Sequence, residues 1–199
     1  MLRPLYCFLL SLFLSIPAYG NIASRQLNIS PDSTRPLNMA VWYPSAETGT
    51  PQKVGDNIVF CGISALSAAA PLAGRHPLFL LSHGYGGNWR NLNWLAAHMA
   101  AQGYIVAAVD HPGTTTFNKS PQHAPQLWRR PQDLQQALAK IIATPALAGR
   151  IDVHRIAALG TPLRGRTVIQ LAAGRLDATR LLKSFRVSLR LPSSHLFVA

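Results

Sequence analysis

The stretch Arg155–Thr167 reads RIAALGTPLRGRT. Its opening residues, Arg155 to Leu159, are mostly apolar, as in a short strand buried on both faces. Gly160, Pro162 and Gly165 then punctuate a sharp turn, and the apolar QLAAG that follows at 170–174 has the character of a helix. A buried strand running through a glycine-flanked turn into a helix belongs to a parallel sheet covered by helices.

Two further segments on the N-terminal side repeat that grammar. Leu78 to Leu81 is a continuous apolar run bounded by Pro77 and Gly84, and Tyr104 to Val109 (YIVAAV) is another. Between them, Asn88 to Gln102 carries Leu92, Leu95, Ala96 and Met99 at helical spacing and closes at Gly103. A second helix is expected from about Pro131, with a stripe of Leu134, Leu138, Ile141 and Ile142 ended by Pro145. RQLNIS and Leu37 to Ser45 (LNMAVWYPS) read as two earlier strands, and AETGTPQKVGD between 46 and 56 as a loop. The expected class is α/β, with a mostly parallel sheet covered by helices.

In such a sheet ligands bind beyond the carboxyl ends of the strands, so three strand ends carry the candidate chemistry. At the first, Ser82-His83-Gly84-Tyr85-Gly86-Gly87, the glycines let the backbone approach a ligand, and the Tyr85 N–H is a candidate oxyanion donor. The alternative is a glycine-rich turn that happens to contain a histidine. At the second, Asp110-His111-Pro112-Gly113-Thr114, a tight Pro-Gly turn is the better reading. No second ligand pair stands at metal spacing, and no metal is expected. His83, His111 and His154 read as loop or strand-end residues, and Ser82 as a satisfied turn hydroxyl.

The third end is Gly160-Thr161-Pro162-Leu163-Arg164-Gly165. In a G-x-S-x-G nucleophile elbow the middle residue is an exposed serine on a strained strand-to-helix turn. Here the serine position holds Pro162 and the second glycine position holds Arg164. Proline has neither hydroxyl nor N–H, so it can neither attack nor be activated by a base. Thr161 lies one position early and is expected to point elsewhere.

The segments MAVWYPS, FCGISALSAAAPLAGRHPLFLLSHGYGGN, LAAHMAAQGYIVAAVDHPGTT, WRRPQDLQQAL and RIDVHRIAALG with GRTVIQLAAGRLD, in this order over about residues 36 to 177, resemble the exported α/β-hydrolases called predicted dienelactone hydrolases. These are similar to platelet-activating-factor acetylhydrolases. The resemblance implies an α/β-hydrolase fold, ester hydrolysis by a Ser–His–Asp site with an oxyanion hole, and no cofactor. It places Tyr85 and Leu163 at the two oxyanion donors and Pro162 at the nucleophile, which leaves no catalytic residue to name. The family's acid and base lie far downstream of the elbow. Asp177 and His195 have the right order but almost no intervening fold, so the chain reads as an incomplete α/β-hydrolase, by a shifted frame or a truncated gene.

The 199 residues are 48% apolar, enough for a packed core, and carry a formal net charge of +12. About half of that excess lies from Arg164 onward, where seven Lys or Arg accompany the single acid Asp177. No nucleic-acid-binding motif or aromatic-basic platform accompanies the charge, so nucleic acid is not an expected partner. The domain reading is a signal peptide over 1–20, the N-terminal part of a hydrolase domain over 21–177 and a basic tail over 178–199. In the tail, Leu181, Leu182, Phe185 and Leu189 would gather on one side of a helix and Arg180, Lys183, Arg186 and Arg190 on the adjacent one, with Pro192 ending it. That helix would suit an anionic membrane surface; accidental sequence is the competing account. Without outer neighbours the Arg155 strand would present a bare edge, and self-association is expected. The sequence leaves two function classes open. One is an esterase lineage that has lost its nucleophile; the other is a non-catalytic protein that binds a small ester-like ligand or a membrane surface.

Cys61, in the apolar IVFCG, reads as a buried and inert thiol; Cys7 would leave with the signal. At the N-terminus, Arg3, the apolar run from Leu5 to Ile16 and the small residues Ala18 and Gly20 form a secretory signal, too short to span a bilayer comfortably. The expected location is periplasmic or extracellular. N-terminal sequencing of the mature protein should therefore begin at or near Asn21, and full-length chain in the cytoplasm would overturn that expectation.

Overall fold

The computed structural model describes residues 21–29, 35–123, 125–126 and 128–160, together with the backbone of 197–198. Among the described residues eight strands form one sheet. They are β1 (Asn21–Asn28), β2 (Asn38–Ser45), β3 (Gln52–Val54), β4 (Ile63–Ser67), β5 (His76–Ser82), β6 (Ile105–Asp110), β7 (Ile151–Gly160) and β8 (Phe197–Val198). Their order across the sheet is β3-β4-β1-β2-β6-β5-β7-β8. The β6-β5-β7-β8 half is wholly parallel, and β2 joins it antiparallel through β6. The helices are α1 (Asn93–Ala101), entered through a 3₁₀ turn at Trp89–Leu92, and α2 (Arg129–Ala143).

The period-2 alternation of the central strands divides the core between the two faces. Met39, Val41 and Tyr43 of β2 join Ile105, Ala107 and Val109 of β6 and Leu78 and Leu80 of β5 in a cluster with Leu134, Ala137, Leu138 and Ile141 of α2. The intervening Ala40, Trp42, Val106, Ala108 and Leu81 pack instead with Trp89, Leu92, Ala96 and Ala100. One helix thus covers each face, which is why β2, β5 and β6 read as near-continuous apolar runs.

The helix expected over Asn88–Gln102 begins as a 3₁₀ turn, because Asn88 and Asn91 cap each other there. Its buried stripe also differs from the expected one. Ala96, Ala97 and Ala100 face the sheet, while Leu95 and Met99 are only partly buried. Small side chains on that stripe let α1 lie close to the strands. In α2, Leu134, Leu138 and Ile141 are buried as expected, and so are Arg130 and Asp133.

Three expectations are corrected. The 46–56 loop contains β3, which pairs antiparallel with β4, a strand the sequence reading left unassigned. Cys61 is exposed rather than buried. The Asn57 side chain accepts the N–H groups of Val59 and Phe60, and Asp56 accepts that of Gly62. Those bonds hold a surface turn whose apolar side chains point outward. Finally, the Arg155 strand is not bare on its outer side, because Phe197–Val198 pair with it in parallel at Ala157 and Ala158.

Pro162, Leu163, Asp177, His195, the signal segment and the tail up to 196 lie outside the described residues. Among the described residues no helix is long and apolar enough to cross a membrane. Leu80 sits in the middle of β5 and is 2% exposed. Leu80→Ala should cost about 2–5 kcal/mol of stability through the cavity it leaves. A denaturation midpoint unchanged from the wild type would refute that placement.

Candidate functional site

The carboxyl end of β5 opens into the loop His83–Gly87, which passes at once into the Asn88-capped 3₁₀ turn. Gly86 has φ +74, a left-handed value that favours glycine. The following segment, from His111 to Thr116, holds the loop by backbone and hydroxyl bonds. Gly86 N–H donates to the Thr114 carbonyl at 2.9 Å, and Thr116 N–H to the Gly87 carbonyl at 3.0 Å. The Thr116 hydroxyl donates to the Gly86 carbonyl at 2.7 Å. Gly87 N–H donates to the Gly84 carbonyl at 2.9 Å, and Asn88 N–H to the Asn91 side chain at 2.8 Å.

The amide N–H groups of Gly86, Gly87 and Asn88 are therefore engaged. None of the described residues accepts the Tyr85 N–H. Tyr85 is 52% exposed and lines a cleft of about 310 Å³ with His83, Gly84, Gly86, Gly87, Asn91 and Leu92. A backbone donor without a partner among the described residues, in a loop at the carboxyl end of a central parallel strand, suits a ligand oxygen. The second expected donor, Leu163, lies outside the described residues, as does Pro162.

Behind this loop lies a buried polar chain that the sequence reading missed. The Ser82 hydroxyl and His111 Nε2 are 2.8 Å apart, and His111 Nδ1 lies 2.8 Å from Asp133 Oδ2. Arg35 grips the same carboxylate with both terminal nitrogens, Nη2 at 2.8 Å from Oδ2 and Nη1 on Oδ1. Arg130 donates to the His83 carbonyl at 3.0 Å and to the Thr114 hydroxyl at 2.8 Å. Ser82, His111 and Asp133 have the connectivity of a Ser–His–Asp triad, yet none is more than 1% exposed. A substrate carbonyl has no route to that hydroxyl, so these bonds hold structure rather than deliver a nucleophile.

His111 and Ser82 do stand at strand ends, as expected. The signal missed was Asp133. It falls on the inward face of α2, at the position preceding Leu134, where a carboxylate must find partners. Among the described residues no group of three or more His, Cys, Asp or Glu side chains is placed to hold a metal.

Two carboxylates at this end of the sheet behave oppositely. Burial would raise the Asp133 carboxyl, but the hydrogen bonds from Arg35 and His111 outweigh it and hold the group below its usual range. Asp110 accepts the Trp89 N–H at 2.7 Å, with Arg90 nearby. Burial wins there and pushes its pKa up from 3.8 to about 6. Burial likewise pushes His111 down from 6.5 to about 4, against the Asp133 hydrogen bond.

A family profile described as platelet-activating factor acetylhydrolase, isoform II, matches residues 61–122. Cutinase est2 of Thermobifida alba is 31% identical over 99 residues, 49% of this chain and 30% of that protein. Cutinase 2 of Thermobifida cellulosilytica is 31% identical over the same length, 34% of that protein. Among solved structures, a ferulic acid esterase from Streptomyces cinnamoneus superposes with a TM-score of 0.65 at 21% identity, covering 77% of this chain and 56% of that one. The chain thus spans about a third of the length of the curated relatives it matches.

The opposed titrations make a pH prediction. Between about 6.5 and 4 the unfolded chain binds a proton at His111 that the folded chain refuses, so falling pH favours unfolding. Between about 6 and 3.8 the folded chain binds a proton at Asp110 that the unfolded chain refuses, so falling pH favours folding. The two slopes nearly cancel in the wild type. Asp110→Asn keeps an acceptor for Trp89 and removes one slope. Its stability should fall by about 3 kcal/mol from pH 6.5 to 4, while that of the wild type stays nearly level. Parallel denaturation profiles for the two proteins would refute the opposition.

Proposed function

We propose that this chain, an α/β-hydrolase of the esterase-like kind, is an exported member of the dienelactone hydrolase-like lineage that binds an ester- or carboxylate-bearing small molecule without turning it over. Pro162 carries the loss of turnover. The elbow position that must supply the attacking oxygen has no hydroxyl, and the following Leu163 N–H is the only donor there the chemistry retains. Ser82 does not replace it, because it is wholly buried against His111.

The binding half of the reading is supported by the oxyanion-type loop. A tetrahedral or trigonal oxygen of an ester, carboxylate or phosphonate accepts from preorganised backbone N–H groups regardless of whether a nucleophile follows. The Tyr85 N–H has that character, and the exposed Tyr85 ring beside it offers an apolar surface to the rest of the ligand. Export is supported by the signal-like series from Arg3 to Gly20.

A fluorophosphonate probe tests the chemistry directly. The purified 199-residue protein should remain unlabelled, and Ser82 in particular should be absent from any modified peptide. Stoichiometric labelling of any serine would overturn the loss of turnover.

A further inference from the structure

The Tyr85 N–H and the Gly84 carbonyl belong to one peptide unit. In a planar trans peptide they point in opposite directions, so whatever fixes the carbonyl aims the N–H. The Gly84 carbonyl lies 2.6 Å from His83 Nδ1 and accepts the Gly87 N–H at 2.9 Å. The residue that precedes the peptide thus reaches over and holds it with its own ring.

For that contact to be a hydrogen bond, Nδ1 must carry the proton. The other ring nitrogen decides this. His83 Nε2 accepts the backbone N–H of His111 at 2.9 Å, and an accepting nitrogen has no proton, so the neutral ring is the Nδ1–H tautomer. The opposite tautomer would set two donors against each other at Nε2 and two acceptors against each other at the Gly84 carbonyl.

The His111 backbone is held in turn. Its ring is fixed between the Asp133 carboxylate and the Ser82 hydroxyl, and its carbonyl accepts the Thr114 hydroxyl at 3.0 Å. The two imidazoles pack with centroids 5.1 Å apart. His111 must also be the Nδ1–H tautomer, since Nδ1 faces a carboxylate and Nε2 is left to accept from Ser82.

We propose that Asp133 and His111 are positioning residues that act through His83 to aim the Tyr85 N–H into the cleft. This rests on the reading that the loop receives a ligand oxygen, and it adds what directs the donor. Gly84 on one side of the peptide and Gly86 just beyond Tyr85 offer little steric resistance to a peptide flip. The orientation is therefore imposed from the interior, from Arg35 and Asp133 on one face of the sheet, through His111 and His83, to the loop.

The test uses the full chain with isotope-labelled histidine and tyrosine, read by long-range proton–nitrogen correlations and by the Tyr85 amide resonance. At neutral pH His83 and His111 should each appear as a single Nδ1–H tautomer. Asp133→Asn keeps an oxygen to accept from His111 and should preserve both tautomers and the Tyr85 amide position. Asp133→Ala should release both rings into tautomer mixtures and shift the Tyr85 amide. A His83 ring protonated at Nε2 in the wild type would overturn the proposal whether or not any variant folds. So would a folded Asp133→Ala protein with the His83 tautomer and the Tyr85 amide unchanged. Titration with methylphosphonate separates the two readings. If the Tyr85 amide fails to respond while the tautomers stand as expected, the ligand reading fails and the aiming of the peptide remains.

Discussion

The Asp133 carboxylate is the constraint on which this end of the molecule is built. It lies on the sheet-facing side of α2, 1% exposed, among leucine and isoleucine side chains that cover the sheet. An ionised carboxylate in that setting is tolerable only with close partners, and Arg35 and His111 supply them from two different parts of the chain. Removing one partner of such a buried pair typically costs about 3–5 kcal/mol. The helix, the segment preceding β2 and the residue after β6 are therefore tied together by one charge.

The same region shows how burial and partnership compete over a single chemical group. Asp110 and Asp133 are both largely shielded from water at the carboxyl end of the sheet. Asp133 meets a guanidinium fork and an imidazole N–H, and these outweigh desolvation. Asp110 meets one backbone N–H, with Arg90 acting only at a distance, and desolvation prevails. Arg90 has other company, because its guanidinium lies 4.3 Å over the Trp89 ring. Two aspartates at the same end of the sheet thus end on opposite sides of the ordinary carboxylate range.

Apolar and polar layers divide the work along each strand. The middles of β2, β5 and β6 carry the two hydrophobic clusters, which set the sheet between its helices. The carboxyl ends of β5 and β6 carry Ser82, His83, Asp110 and His111, whose bonds define the loop geometry. A ligand site at this end needs both. The clusters provide a rigid base, and the polar chain gives a glycine-rich loop a single conformation that glycine alone would not select.

Much of the fold was legible in the sequence. Leu78–Leu81 and Tyr104–Val109 are unbroken apolar runs, as befits strands covered on both faces. Arg155–Leu159 is a strand as read but is not buried on both faces, since Arg155 is exposed and of these five residues only Ala158 is buried. The loop after β5 was legible as well, because glycines at 84, 86 and 87 at a strand end have few other uses. β3 and β4 were not. β3 is three residues long and mostly exposed, and its strand character comes from pairing rather than from composition. The exposure of Cys61 was hidden for a related reason, since local Asn57 and Asp56 bonds overrode the apolar look of IVFCG. The sequence by itself determined the alternation of apolar strands and helices and the presence of proline at position 162, because these are properties of single residues and local periods. Only the tertiary structure decided which polar residues act together. Ser82, His111, Asp133 and Arg35 stand up to 98 positions apart in the chain. Hydrogen bonds of under 3 Å between such distant groups exist only once the sheet has brought the strand ends and α2 to one place.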